Sequence, residues 1–278
     1  MQKTISVKNV EYAVNEKPIL QGVSFRCAED ERICIFGENG AGKSTLLKII
    51  CGELEPDSGR VEKQGHIRFV FVPQEFDHSH QDLLIEEFIK EKAGETLSKK
   101  VHMFAKMLGF HVEKHKDTKC GRLSGGQQKI LALSCAFALA PDFLLLDEPE
   151  NHLDIVSRVE LVRLLEEFRG AIIFISHDRL LIDGVATKIG EIVQGKIFIS
   201  EGDYDDYIQT KVERIAGLQR DHDVRSKRIK QLSSAIVILQ QKAFRGKEVS
   251  AYKRAKEELA QLKKEAKENG RPDEAQNK

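Results

Sequence analysis

Two short stretches hold side chains that could work on a chain of phosphates: GENGAGKST at residues 37–45, and DEPENHLD at residues 147–154, directly after the apolar run FLLL. The first has the G-x-x-x-x-G-K-[ST] spacing. Gly37, Glu38, Asn39, Gly40, Ala41 and Gly42 can turn backbone N–H groups toward phosphates, Lys43 can reach the outer ones, and Ser44, beside Thr45, can ligate Mg²⁺. A glycine-rich turn that binds nothing is the alternative, and it leaves the match at all four fixed positions unexplained. In the second stretch, Asp147 ends a buried strand beside that loop and is the natural Mg²⁺ partner. Glu148 follows on extended backbone, points elsewhere and is free to polarise a water for attack on a γ-phosphate. Read in isolation, Glu148 is a cap of the following helix.

A third stretch, LSGGQ at 123–127, is another glycine-rich helix start, with Ser124, Gly125, Gly126 and Gln127 able to receive an anion. It lacks a lysine of its own, so it completes a site built elsewhere, in this chain or another. S-G-G before a helix is commonly just a cap, but this one stands twenty residues before FLLLDE.

These groups need a scaffold. Short alternating runs in 4–36 read as strands broken by NEKP and AEDE; a helix is expected from Lys43 to Cys51, then a PDSG turn and the strand IRFVFV. Apolar residues three and four apart make 81–118 helical in pattern. A helix at 125–139, the strand FLLLD, a helix at 155–169, the strand AIIFIS and a hairpin around EIVQGKIFIS complete the α/β pattern, with a parallel sheet covered on both faces. From about Asp205 the composition shifts to Lys, Arg, Glu, Gln and Ala at helical spacing. Two long antiparallel helices with a break at FRGKEVS (244–250) are expected, followed by a mobile tail.

The chain of 278 residues is 41% hydrophobic, ample for a packed core. Its formal charge is zero but unevenly distributed: residues 211–278 carry 18 basic against 10 acidic side chains, and residues 1–210 carry 26 against 34. A basic appendage of this kind suits an anionic partner. The five cysteines show no C-x-x-C spacing, which points to a reducing, cytoplasmic setting; no apolar run is long enough for a membrane span and Met1 is followed by a strand pattern rather than a signal peptide, so no direct membrane insertion is expected. His78 with His80, and His111 with His115, have spacings a metal could use, but no completing ligand set accompanies them.

Together GENGAGKST, LSGGQ and FLLLDE resemble the ATP-binding cassette superfamily over residues 1–203. The resemblance implies a P-loop fold of mixed sheet core with antiparallel β and helical subdomains (the latter at about 81–140), ATP and Mg²⁺ as ligands, and ATPase activity. It also implies that Tyr12 stacks on adenine, that Gln74 in FVPQEF meets Mg²⁺ and the lytic water, that His177 in ISHD touches the γ-phosphate, and that Asp154 lies in a loop coupling paired sites. The family pairs two cassettes head to tail, each ATP held between one cassette's P-loop and the other's LSGGQ, which accounts for the missing lysine.

NHLD after DEP, EGDYDDYIQTK (201–211) and the helical hairpin at 204–269, with a flexible tail at 270–278, look like the ABC-F proteins. That likeness implies action on the ribosome, in translation regulation or antibiotic protection, with a basic tip reaching rRNA or tRNA. Lys242, Arg245, Lys247, Lys253, Arg254 and Lys256 stand there against Glu248. The competing expectation, the ATP-binding subunit of a membrane transporter, gives no reason for a basic hairpin. Glu150 departs from the family's usual threonine, and the extra helical insertion that some members carry between Lys43 and Leu123 is absent. A second cassette does not occur in the sequence, implying either a piece of a longer protein or a half-molecule that pairs with itself.

Overall fold

The computed structural model describes residues 3–244 and 248–268. The expected break at the hairpin tip, with Arg245 and Lys247 and the side chain of Lys242, and the expected mobile tail lie outside the described residues. The chain divides into two units, Met1–Tyr207 and Ile208–Lys278.

The first unit is built on two sheets. Strands β1 (Thr4–Val14), β2 (Lys17–Ala28) and β4 (Ser58–Gln64) form an antiparallel sheet in the order β2-β1-β4. A six-stranded sheet runs β5-β6-β7-β3-β8-β9, with β3 at Arg32–Gly37, β5 at Phe69–Val72, β6 at Phe143–Asp147, β7 at Ala171–Ile175, β8 at Lys188–Val193 and β9 at Lys196–Glu201. Every pairing in it is parallel except β8 with β9, so the sheet is mixed.

Its central strands are apolar throughout because both faces are covered. Alternation divides them between two cores. Cys34, Leu144, Leu146, Ile172 and Phe174 join a cluster with α2 (Ile85–Ala93), α3 (Ser98–Met107), α4 (Gly125–Leu139) and α5 (Ile155–Glu167). Ile33, Ile35, Leu145, Ile173 and Ile175 face the other way, onto α1 (Lys43–Cys51) and the antiparallel sheet. Each such fully buried side chain contributes about 1.5–3 kcal/mol.

Three local expectations change. The expected helical stretch 81–118 is two α-helices, and past Gly109, whose φ is 89°, it continues as irregular chain with short 3₁₀ turns. Strand β4 and the short helix α6 (Arg179–Val185) were not expected from the sequence. SGRVEKQ carries one apolar residue in seven and becomes a strand by pairing with β1. Helix α6 starts because the Asp178 carboxylate accepts the Leu180 N–H at 2.9 Å.

In the second unit, helix α7 (Tyr204–Phe244), which begins in the first, and α8 (Val249–Glu268) pair through Arg228, whose guanidinium donates to Glu258 at 2.7 and 3.1 Å. Leu232 and Ala255 are buried there, whereas Lys253, Arg254 and Lys256 are exposed. Among the described residues no helix is long and apolar enough to cross a membrane.

Candidate nucleotide site

Four parallel neighbours, β5, β6, β7 and β3, point their C-terminal ends the same way, and each delivers part of the site. Gln74 follows β5, Asp147 and Glu148 close β6, His177 follows β7, and Gly37–Lys43 follows β3. The C-terminal edge of a parallel sheet is where α/β folds place ligands.

The loop after β3 closes on itself. Lys43 Nζ donates to the carbonyls of Gly37 at 2.8 Å and Glu38 at 3.0 Å. Burial lowers the Lys43 pKa, while Glu148 and Asp147 work against that shift. Gly42, which caps α1, has φ 98°, and a Cβ there would stand 2.7 Å from Ile19 Cγ2 and 3.0 Å from Leu20 Cδ2. Only glycine fits. Leu20 is the register partner of Tyr12, so the half-buried Tyr12 lies across the strand pair from the residue that touches the loop.

Asp147 is 2% exposed. Burial raises its pKa, and a hydrogen bond with the Ser44 side chain opposes the rise. Its Oδ1 is buried with no partner. An orphaned carboxylate oxygen next to a serine hydroxyl suits a hard cation that takes oxygen ligands, as Mg²⁺ does. Among the described residues no group of three or more His, Cys, Asp or Glu could hold a metal, so a cation here would draw on the hydroxyl and amide oxygens as well. The histidine pairs noted from the sequence are engaged otherwise: His80 lies between Glu91 at 2.9 Å and Asp77 at 3.3 Å, and His115 stacks on Phe110.

Glu148 is not on extended backbone as its neighbours' pattern suggested. Its φ is 44°, in the left-handed region, where a non-glycine residue is strained. The turn swings its side chain out of the strand direction while its N–H still donates to Ile175 O at 3.0 Å. Oε2 accepts from Gln74 Nε2 at 2.7 Å and from Asn151 Nδ2. Gln74 and Glu148, 74 residues apart, are thereby joined directly. The His177 ring is exposed, with the Phe36 ring centroid 5.3 Å away.

The LSGGQ segment sits elsewhere. Ser124 and Gln127 form a reciprocal cap: Gln127 N–H donates to Ser124 Oγ at 3.3 Å and Ser124 N–H to Gln127 Oε1 at 3.0 Å. Gly125 and Gly126 lie against the loop after β6. A Cβ on Gly126 would come within 2.4 Å of the His152 carbonyl, so close approach demands this glycine independently of any anion. No hydrogen bond of the described residues joins 124–127 to 37–45. Asp154 accepts the Ser157 N–H at 2.8 Å and caps α5.

Lys129, two residues past LSGGQ, was missed in the sequence. It is 5% exposed, and Nζ donates to Pro73 O at 2.8 Å and Asp147 O at 3.3 Å, tying the Gln74 segment to the end of β6. Burial pushes its pKa down to about 8, against the pull of Asp147, Glu150 and Glu148. A lysine in an otherwise apolar helix face, KILALSCAFAL, was the available signal. A cavity of about 680 Å³ opens behind these segments, lined by Gln74, Lys129 and His152 among others.

The family described as ABC transporter matches residues 20–151. The chain is 36% identical to an ATP-binding protein Uup of Buchnera aphidicola over 215 residues, covering 75% of this chain and 36% of that one. It is 31% identical to ABC transporter F family member 5 of Arabidopsis thaliana, covering 81% of this chain and 33% of that one. The chain thus spans about a third of the length of these relatives. Among solved structures, a dimeric ATP-binding cassette in a post-hydrolysis state, bound to ADP and Pi, superposes with a TM-score of 0.61 at 26% identity, covering 71% of this chain and 98% of that one. A bacterial Atm1-family ABC exporter with ATP bound superposes at 0.67 with 23% identity, covering 76% of this chain and 40% of that one, a likeness of fold. The chain belongs to the ATP-binding cassette superfamily, in its ABC-F branch.

Proposed function

We propose that this chain binds Mg·ATP and hydrolyses it when its P-loop face meets the LSGGQ face of another cassette, and that the helical pair carries the resulting motion to an RNA-rich partner, the ribosome. The observation that carries the reading is the meeting of Gln74 and Glu148 beside Asp147, whose buried Oδ1 is unpartnered. Backbone N–H groups of residues 37–42 bind the phosphates, Lys43 leaves its loop carbonyls for the γ-phosphate, and Tyr12 stacks on adenine. Mg²⁺, held by Ser44, Asp147 and Gln74, supplies neutralisation of phosphate charge. Glu148 takes the proton from the attacking water as its oxygen bonds to the γ-phosphorus and the bond to ADP breaks. Lys43 and His177 stabilise the charge that spreads over the transferred group. Ser124, Gly125, Gly126 and Gln127 serve the facing cassette's nucleotide. ATP binding closes the pair, and hydrolysis reopens it.

Glu148→Gln tests this reading. The variant is expected to bind Mg·ATP, to hydrolyse it at least about a hundredfold more slowly than the wild-type chain, and to shift toward dimer with Mg·ATP in light scattering at rising protein concentration. Hydrolysis by Glu148→Gln at the wild-type rate would remove Glu148 from the role of base. A chain that binds Mg·ATP yet stays monomeric would mean that the facing cassette is not a second copy.

A further inference from the structure

Glu150 is 5% exposed, three residues beyond Asp147. Its Oε1 accepts two hydrogen bonds, from Ser176 Oγ at 2.6 Å and from the His177 N–H at 3.3 Å. Ser176 Oγ in turn accepts the Asp178 N–H at 3.0 Å. One carboxylate oxygen therefore organises three consecutive residues of the loop after β7. Its other oxygen, Oε2, is buried with no hydrogen-bond partner, so the carboxylate is held by the two bonds to Oε1 and by electrostatic attraction to the buried Lys129 ammonium.

The main chain beneath His177 matters because the residue is exposed and its imidazole meets the Phe36 ring in a tilted pair, with centroids 5.3 Å apart. Glu148 is referenced to the same strand end through its N–H to Ile175 O at 3.0 Å. A second strut runs parallel, from Arg158 Nη1 to Asp178 Oδ2 at 3.2 Å and from Arg158 Nε to Leu153 O at 3.0 Å. The loops after β6 and β7 are thus pinned together at two points, one buried and one partly exposed.

We propose that Glu150 is a positioning residue, whose Oε1 fixes the backbone of Ser176 and His177 and so sets the place of the His177 imidazole relative to Glu148. It touches no substrate and acts through the loop. This rests on the hydrolytic reading of the site for its consequence, though the backbone restraint itself does not. The role belongs to the acceptor oxygen and its position, so Glu150→Gln, which keeps an oxygen there, should preserve it. Glu150→Asp, which keeps the charge but withdraws the oxygen by one methylene, should not.

The experiment compares the wild-type 278-residue chain, Glu150→Gln and Glu150→Asp in two ways: hydrogen exchange of the His177 amide by NMR without nucleotide, and steady-state kcat and KM for Mg·ATP. Glu150→Asp is expected to speed His177 exchange at least about tenfold. It should lower kcat by about ten- to a hundredfold with KM changed by less than about twofold. Glu150→Gln should stay near wild type in both. Ser176→Ala, which removes the hydroxyl alone, should speed exchange at the Asp178 amide and lower kcat, and it serves if Glu150→Asp does not fold. An unchanged His177 exchange in Glu150→Asp, damage from Glu150→Gln equal to that from Glu150→Asp, or a Ser176→Ala chain with wild-type exchange and kcat would each overturn the proposal. A wild-type chain that does not turn over ATP counts against the hydrolytic reading alone, and the amide comparison then still decides what Glu150 does.

Discussion

Replacing Lys129 by Met should change how the stability of this chain depends on pH. The ammonium is buried and its pKa is pushed from 10.5 to about 8. A lysine depressed in the folded state holds its proton less tightly there than in the unfolded chain. Between about 8 and the unfolded value, unfolding therefore takes up a proton, and stability rises with pH through that window. Inserting the two values gives a rise of about 2 kcal/mol between about pH 7 and about pH 9.5, which Met, similar in length and uncharged, cannot show. Cys27 and Cys135, pushed up to about 12 by burial, act in the opposite sense over the same range. They are common to both proteins and cancel in the difference. The assay is urea unfolding followed by circular dichroism, since the chain has no tryptophan, in EDTA and without nucleotide. The expected result is a wild-type minus Lys129→Met difference that grows by about 2 kcal/mol across the window. A difference flat to within about 0.5 kcal/mol would refute the reasoning, because the buried ammonium would then not be losing its proton on folding.

Gly126→Ala places a methyl group 2.4 Å from the His152 carbonyl, and is expected to destabilise the chain by about 1–3 kcal/mol in the same urea assay; wild-type stability would mean that the loop after β6 yields freely. Exchanging the exposed Lys253, Arg254 and Lys256 for Glu should abolish cosedimentation with ribosomes at physiological salt while leaving ATP hydrolysis unchanged. Retained cosedimentation would remove these three side chains from the proposed ribosome contact.

The elements that punctuate the site were legible because their signals are local. Helices α1 and α4 begin where glycine and serine dictate, at Lys43 and Gly125, and β6 is announced by FLLL before an acid. Residue types at fixed spacing were enough to single out Lys43, Ser44, Asp147 and Glu148 as candidates, since the chemistry of phosphate and Mg²⁺ limits which side chains can serve; Gln74 came from the family resemblance alone.

Tertiary structure decided what depends on partners far along the chain. Strand β4 exists because β1 lies beside it, and its polar sequence could not say so. Glu148 takes a left-handed turn that alternation along an apolar strand gives no hint of, and the surrounding loop holds it there with Gln74 and Asn151. Lys129 was not singled out in the sequence, and it is the fold that sets its ammonium between two carbonyls, 56 and 18 residues away. Glu150 stood out in the sequence only as an unusual acid. Its role depends on Ser176 and His177 arriving from the neighbouring strand, a meeting set by the order of parallel strands rather than by any local preference.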